Sequence, residues 1–569
     1  MRIELYYKPE STHIIHKMRI NMAQSCAALV LIFGLASVMC KADRKGLHQS
    51  ATRKIQGHVD DTFKLAAYYG DHMVLQRAPE SAILWGYAPI GSYINISFAG
   101  AMYSDVANPG MFGPNIGVWK IMLDPQPASG PTSITISCNT TEGASQKIQL
   151  KDVLFGDVWV CSGQSNMQFP VKKAYNATAE LKASSQYTNV RVMTISRDNT
   201  ATPLYDIRNI TLPWSLPSPS SLGGTDYFSA VCWFFGRDLY DAYGVPIGLV
   251  ESAWGGTRIQ VWSPPDVIDK CGDAAKTSKQ MVNQTTEEAA HDLMGLKTPK
   301  PPTASSQLWN AMIHPLLNMT IKGAIWYQGE QNTGRPDSYK CLFPNMIASW
   351  RDKWHAGSNG QTNPVFPFGF VQLCTSTRPE ISNIGGFPVL RWHQTTDYGY
   401  APNPAMPNVF MATALDLPDL QSTISPVHPR DKQDVGLRLS LAARGIAYGE
   451  ESLVYQGPFP TKITVDESQL TILVMYDNIS SDHIKLVGAS GFEVCCSFQD
   501  TCQANDVWLP LPVISLTNIY AITLSYDCLM AKPVALRYLW RDYPCTFKDC
   551  TVYTEKNNLP ALPFVLPLN

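Results

Sequence analysis

Four short blocks of this chain carry side chains suited to acyl transfer. In Gly163-Gln164-Ser165-Asn166, a hydroxyl follows an apolar segment at the point where a helix would begin. N–H groups at a helix start favour developing negative charge, which makes Ser165 a candidate nucleophile; the competing role is a helix cap. The residue two places on is Met167, so this is not a G-x-S-x-G elbow. In Trp254-Gly255-Gly256-Thr257, paired glycines let the backbone approach a ligand, and the Gly256 N–H suits an oxyanion donor; a plain turn is the alternative. In the block 326–332, Asn332 could donate a side-chain N–H to the same oxyanion, whereas Glu330 fits better in a polar network beneath the site. In His428-Pro429-Arg430-Asp431-Lys432, an imidazole lies between a strand end and a helix, so His428 is the candidate base. His314 and His393 are the competing histidines. Gln164, Trp254, Gln328, Glu330 and His314 complete the set as substrate-binding or supporting residues.

The elements that must position these blocks alternate in type. Strand-like segments at 155–161, 247–253, 321–328, 367–373 and 409–415 alternate with helix-like segments at 227–243, 339–354 and 431–448. Such alternation predicts an α/β fold, a mostly parallel sheet with helices on both faces. Ligands of such sheets bind beyond the carboxyl ends of the strands, where these blocks fall. The organisation expected is an N-terminal β domain at 43–150, an α/β domain at 151–450 with an insertion or lid at 263–313, and a Cys-rich C-terminal β domain at 451–569.

Residues 26–40 form an apolar run of fifteen, preceded by Lys17 and Arg19. That is the length of a signal-peptide core and short for a bilayer span, so 1–42 reads as a leader with an N-terminal extension, cleaved near Ala42. Met18 and Met22 are alternative starts. Lysosomal and extracellular destinations use the same leader, and no stable membrane association is expected after cleavage. Twelve of the 14 cysteines lie beyond the leader, six of them in the last 75 residues, with neither zinc-type C-x-x-C spacing nor H-E-x-x-H; disulfides are expected. Seven Asn-x-Ser/Thr sequons agree with secretion: Asn95, Asn139, Asn176, Asn209, Asn283, Asn318 and Asn478. A formal net charge of −2 supplies no basic field for nucleic acid.

Taken together, GQSN at 163–166, WGGT at 254–257, WYQGE-x-N at 326–332 and HPRDK at 428–432 resemble the sialate O-acetylesterases, within the SGNH hydrolase group. The resemblance runs from roughly residue 60 to 560. It implies an SGNH-like sheet and removal of O-acetyl esters from sialic acids through an acetyl-serine, with no metal or cofactor. It implies Ser165 as nucleophile, His428 as base, and oxyanion donors from Ser165, Gly256 and Asn332. Many SGNH enzymes carry an Asp three residues before the catalytic His; here that position is Ser425. The orienting acid is therefore expected elsewhere, with Asp416 first and Asp419 second, while Asp431 and Asp434 look like helix caps. An acetylxylan or general carbohydrate acetylesterase would use the same residues on another sugar. A turnover-deficient, lectin-like glycan binder is the reading that the missing Asp motivates.

Overall fold

The strand Ser145–Gly163 changes character half-way along. Its first residues alternate in exposure, and from Val153 onward every side chain is buried. Alternation belongs to a sheet with one solvated face, continuous burial to a sheet covered on both. The first half accordingly pairs antiparallel with Ser129–Asn139, and the second half lies between two parallel neighbours. This is a computed structural model that describes residues 62–568 apart from 111, 226, 273–299, 377–384 and 477–482. The expected leader, the two sequons Asn283 and Asn478, and much of the expected insertion at 263–313 lie outside the described residues.

The central sheet consists of β1 (Ser145–Gly163), β2 (Val190–Ile195), β3 (Ile210–Ser215), β4 (Ile247–Ala253), β5 (Gly323–Tyr327), β6 (Phe368–Gln372) and β7 (Val409–Thr413). Their spatial order is β3-β2-β4-β1-β5-β6-β7, parallel throughout except at the β3 edge. The strand order reverses around β1, which puts the ligand crevice of such a sheet at its carboxyl end. Four helices matter for the site: α1 (Ser165–Gln168), α2 (Ala230–Tyr243), α3 (Asp337–Gly357) and α4 (Lys432–Ile446). The period-2 geometry of strands assigns them to opposite faces. Trp159 packs on Phe235 of α2 at 5.1 Å, and Cys161 is bonded to Cys232 of the same helix. On the other face Trp326 packs on Trp350 of α3 at 5.9 Å, and Phe370 on Phe343 at 5.2 Å.

On the N-terminal side, Ser129–Asn139 and its neighbours Tyr93–Phe98 and Ala101–Val106 join the large sheet through β1. The expected boundary at residue 150 therefore falls inside one continuous strand. The described residues beyond 461 form strands and loops in three further sheets. Ten cysteines pair, as Cys161–Cys232, Cys271–Cys341, Cys495–Cys502, Cys496–Cys528 and Cys545–Cys550. Cys138 and Cys374 stay as buried thiols, and burial pushes Cys374 up to about 12. An even count therefore does not mean that every cysteine is paired.

The Cys271–Cys341 bond closes a separation of 70 residues, and cross-links of that span contribute about 2–4 kcal/mol. A Cys271→Ser, Cys341→Ser double variant is expected to melt several degrees below the parent in a thermal scan. A shift smaller than about 1 °C would show that packing of α3 alone holds this region.

Candidate active site

At the end of β1 the chain must turn sharply beside β5. Gly163 has φ +143°, and a Cβ there would sit 2.2 Å from the Tyr327 carbonyl oxygen, so only glycine fits. The turn delivers Ser165 as the first residue of α1, nearly fully buried at 2% exposure. The N-cap of α1 is Gln164, so Ser165 is not the capping residue.

The three polar side chains flanking Ser165 each reach a different strand end. The Gln164 Oε1 accepts from Gln328 Nε2 at 3.1 Å and from the Gly329 and Gln331 N–H groups at 3.3 Å, beyond β5. The Asn166 Nδ2 donates to Glu330 Oε1 at 2.6 Å and to the Val427 carbonyl at 2.8 Å, next to His428. The Gln168 Oε1 accepts from the Gly255 N–H at 2.8 Å, beyond β4, and its Nε2 donates to the Tyr227 hydroxyl at 2.9 Å.

Beyond β4, Trp254 is buried, and the Thr257 hydroxyl donates to its carbonyl at 2.6 Å, which closes the glycine turn. Gly256 has φ +70° and is the more accessible of the pair. Beyond β5, Asn332 is held by its Oδ1, which accepts from the Ile259 N–H at 3.0 Å and from Gln328 Nε2 at 2.8 Å. Its Nδ2 donates to Gln260 Oε1 at 3.1 Å, and an amide nitrogen carries a second hydrogen. Beyond β7, His428 is fully buried, and its Nδ1 lies 2.7 Å from the Ser425 hydroxyl. The Ser422 hydroxyl donates to the His428 carbonyl at 2.7 Å, and the His428 N–H to the Ser425 carbonyl at 2.9 Å. These bonds fix the imidazole on a tight turn.

Residues 155–442 match the family described as carbohydrate esterase, sialic acid-specific acetylesterase, and 461–568 match the sialate O-acetylesterase C-terminal domain. The chain is 40% identical over 522 residues to the sialate O-acetylesterase of Mus musculus, covering 89% of this chain and 95% of the mouse protein. It belongs to the sialate O-acetylesterase family. The Homo sapiens member is 40% identical over 507 residues, covering 88% and 92% of the two chains. A solved structure of a carbohydrate acetylesterase from Xanthomonas citri superposes with a TM-score of 0.69 at 27% identity, covering 88% of this chain and 99% of that one.

Within this family member, both acids expected from the sequence are paired with arginines. Asp416 is fully buried, but its two oxygens take Arg438 Nη1 at 2.6 Å and Nη2 at 3.0 Å, with Tyr553 donating at 3.2 Å. A guanidinium buried in α4 needs that counter-charge, so the carboxylate faces the helix. Asp419 is likewise taken, by Arg430 Nε at 2.6 Å and Nη2 at 2.9 Å, and this pairing holds its carboxyl below the usual range against the opposing effect of burial. The residue on Nδ1 is Ser425 instead. Asp431 caps α4, accepting from the Asp434 N–H at 3.1 Å, as its position implied. His314 Nδ1 donates to the Leu204 carbonyl at 2.8 Å and its ring meets Trp309 edge-on, while His393 sits between Asp397 and Asp337.

The sequence reading missed Asn166, Gln168 and Lys432 as positioning residues. The first two sit beside the serine, which was their only signal. Lys432 donates to Asn166 Oδ1 at 2.6 Å and lies 4.8 Å from the centre of the Phe169 ring and 5.2 Å from that of Tyr327. Burial lowers it to about 7 and raises the Glu330 carboxyl, which shares Asn166. From pH 7 to pH 10 the unfolded lysine is protonated and the folded one largely is not, so this group adds stability as pH rises. Melting temperatures of the parent relative to Lys432→Met are therefore expected to climb over that interval. Parallel curves would sink the assignment.

Proposed function

We propose that this chain is a carboxylic ester hydrolase that removes O-acetyl groups from sialic acids, with Ser165 as nucleophile and His428 as base on an SGNH-like sheet. The observation that carries the reading is that Gln164, Asn166 and Gln168 tie the serine to the strand ends bearing Asn332, His428 and Gly256. In this mechanism His428 Nε2 takes the Ser165 proton as the oxygen attacks the acetyl carbonyl. The oxyanion is met by the N–H groups of Ser165 and Gly256 and the second Asn332 amide hydrogen; one such donor is typically worth about 10²–10³ in rate. The ester C–O bond breaks, and the sugar oxygen leaves with the proton from His428. Water, deprotonated by the same imidazole, then releases acetate from Ser165. The Ser425 hydroxyl accepts from Nδ1–H and takes over the orienting task of a triad acid.

The likeness to a bacterial carbohydrate acetylesterase supports a broader sugar range as the second reading. Ser425 on the imidazole removes much of the motive for a lectin-like, inactive protein. A secretory location, lysosomal or extracellular, is supported by five disulfides and by the leader-like segment. Asn139, Asn176 and Asn209 are exposed sequons and the proposed glycan acceptors. Among the described residues no helix is long and apolar enough to cross a membrane.

Acetate release from an O-acetylated sialic acid is expected for the parent protein and is expected to fall at least about 10³-fold in Ser165→Ala. Binding of the glycan without any release by the parent would favour the lectin reading. Faster release from acetylated xylan would favour the general esterase. Ser425→Ala should lower kcat about tenfold or more, whereas Asp416→Asn should chiefly lower the melting temperature by leaving Arg438 unpaired. The reverse pattern would restore Asp416 as the third member.

A further inference from the structure

Two cations stand beside the nucleophile helix with no ion-paired carboxylate among the described residues. Arg197 follows β2 by two residues. Thr194 is in register with Glu251, and Glu251 with Cys161, so three residues further along Arg197 is level with Trp254 and Gln164. At two strand spacings this is about 10 Å across the sheet from the end of β1. The guanidinium faces the Tyr227 hydroxyl, which accepts from Gln168 of α1 at 2.9 Å. On the same tyrosine, Lys172 Nζ lies 5.5 Å from the ring centre while donating to the Gly224 carbonyl at 2.9 Å.

Arg197 Nη1 is enclosed by protein, yet no acceptor meets it among the described residues. A buried donor left unmade forfeits its hydration without recompense, so such groups call for an explanation. The acidic side chains nearby do not supply one. Asp198 is paired with Arg208 at 3.1 Å. Glu251 accepts from the Ser229 N–H at 2.8 Å and the Thr194 hydroxyl at 3.2 Å, and burial pushes it up to about 8, so at neutral pH it is mostly uncharged. Among the described residues Arg197 therefore forms no ion pair, although Glu251 lies near enough to feel its charge, and it stands at the carboxyl-end side of the sheet. The guanidinium fork matches a carboxylate in shape and charge better than a neutral hydroxyl.

We infer that Arg197, assisted by Lys172, forms a carboxylate subsite beside Tyr227 that selects acetylated sugar acids over neutral acetylated sugars. This rests on the proposed deacetylation of sialic acids and adds the residue that reads the acid. Gln168 links the subsite to the nucleophile, since its amide bonds Tyr227 on one side and Gly255 on the other.

The test uses the full chain, with O-acetylated sialic acid and its carboxyl methyl ester as paired substrates and free sialic acid as a calorimetric ligand. The parent is expected to prefer the acid to the methyl ester at least about 30-fold in kcat/KM. Arg197→Gln should collapse that ratio to within about threefold of unity and weaken calorimetric binding of the free acid, with Arg197→Lys recovering part of both and Lys172→Met showing a smaller loss. A variant that merely misfolds would lose both substrates alike and keep the ratio. Retention of the parental ratio in a folded Arg197→Gln overturns the subsite, as does a parent that turns over acid and methyl ester equally. A parent that releases no acetate from either sialic acid substrate overturns the proposed function itself.

Discussion

A parallel sheet stops supplying hydrogen bonds at its carboxyl ends, and that is where the reacting groups must be held. Here α1 has four residues, a single turn that cannot persist by helix propensity. Side-chain amides do the holding. Gln164, Asn166 and Gln168 alternate with Ser165 and Met167, so the polar side chains around one turn point toward three different neighbours. The serine is located by triangulation from β4, β5 and the loop after β7, each through an amide bonded to backbone or to another amide. Because all three amides are buried, loss of one leaves several orphaned donors and acceptors together.

The loop between β7 and α4 is fixed by charge. Asp416 binds Arg438, Asp419 binds Arg430, and Asp431 caps α4. Swinging the loop away would separate Asp416 from Arg438 and strand both buried charges. Lys432 completes the arrangement through Asn166, which joins the loop that bears His428 to the helix that bears Ser165. The acids of this loop therefore anchor it, while the Ser425 hydroxyl stands on the imidazole.

This explains what was legible in the sequence. The alternation of strand and helix was readable from apolar periodicity, and the four polar blocks stood out because they followed strands. Ser165, Gly256, Asn332 and His428 could be put forward as candidates from that pattern. The partner of His428 could not. Asp416 looked suitable because it ends a strand near the histidine in sequence, but its counter-ion Arg438 is 22 residues further on, inside a helix, and only packing reveals that the two are matched. Arg197 was invisible for the opposite reason: its proposed significance rests on one guanidinium nitrogen that meets no acceptor among the described residues, which no spacing displays. The expected boundary at 150 falls inside one strand of 19 residues that joins the N-terminal strands to the parallel ones in a single sheet, and periodicity along a strand records the change of environment without marking any break in the chain.

A serine in place of a carboxylate changes what the orienting contact must do. A carboxylate only accepts, so it enforces a proton on Nδ1 and leaves Nε2 basic. A hydroxyl can donate or accept, so the 2.7 Å contact from Ser425 is compatible with either tautomer on its own. The enforcement must come from the turn. With the His428 N–H bonded to the Ser425 carbonyl and the Ser422 hydroxyl bonded to the His428 carbonyl, the imidazole and the Ser425 side chain are set on a closed loop of fixed geometry. Any acceptor that engages the Ser425 hydrogen would leave its lone pairs to Nδ1–H and select the catalytically competent tautomer. In the proposed mechanism, Ser425 as a neutral partner contributes no negative charge to the imidazole, so stabilisation of the transition state would fall more heavily on the proposed oxyanion donors. That is consistent with how firmly Asn332 and the Gly255-Gly256 turn are braced: each is held through Gln328, Ile259 or Gln168 before any substrate arrives.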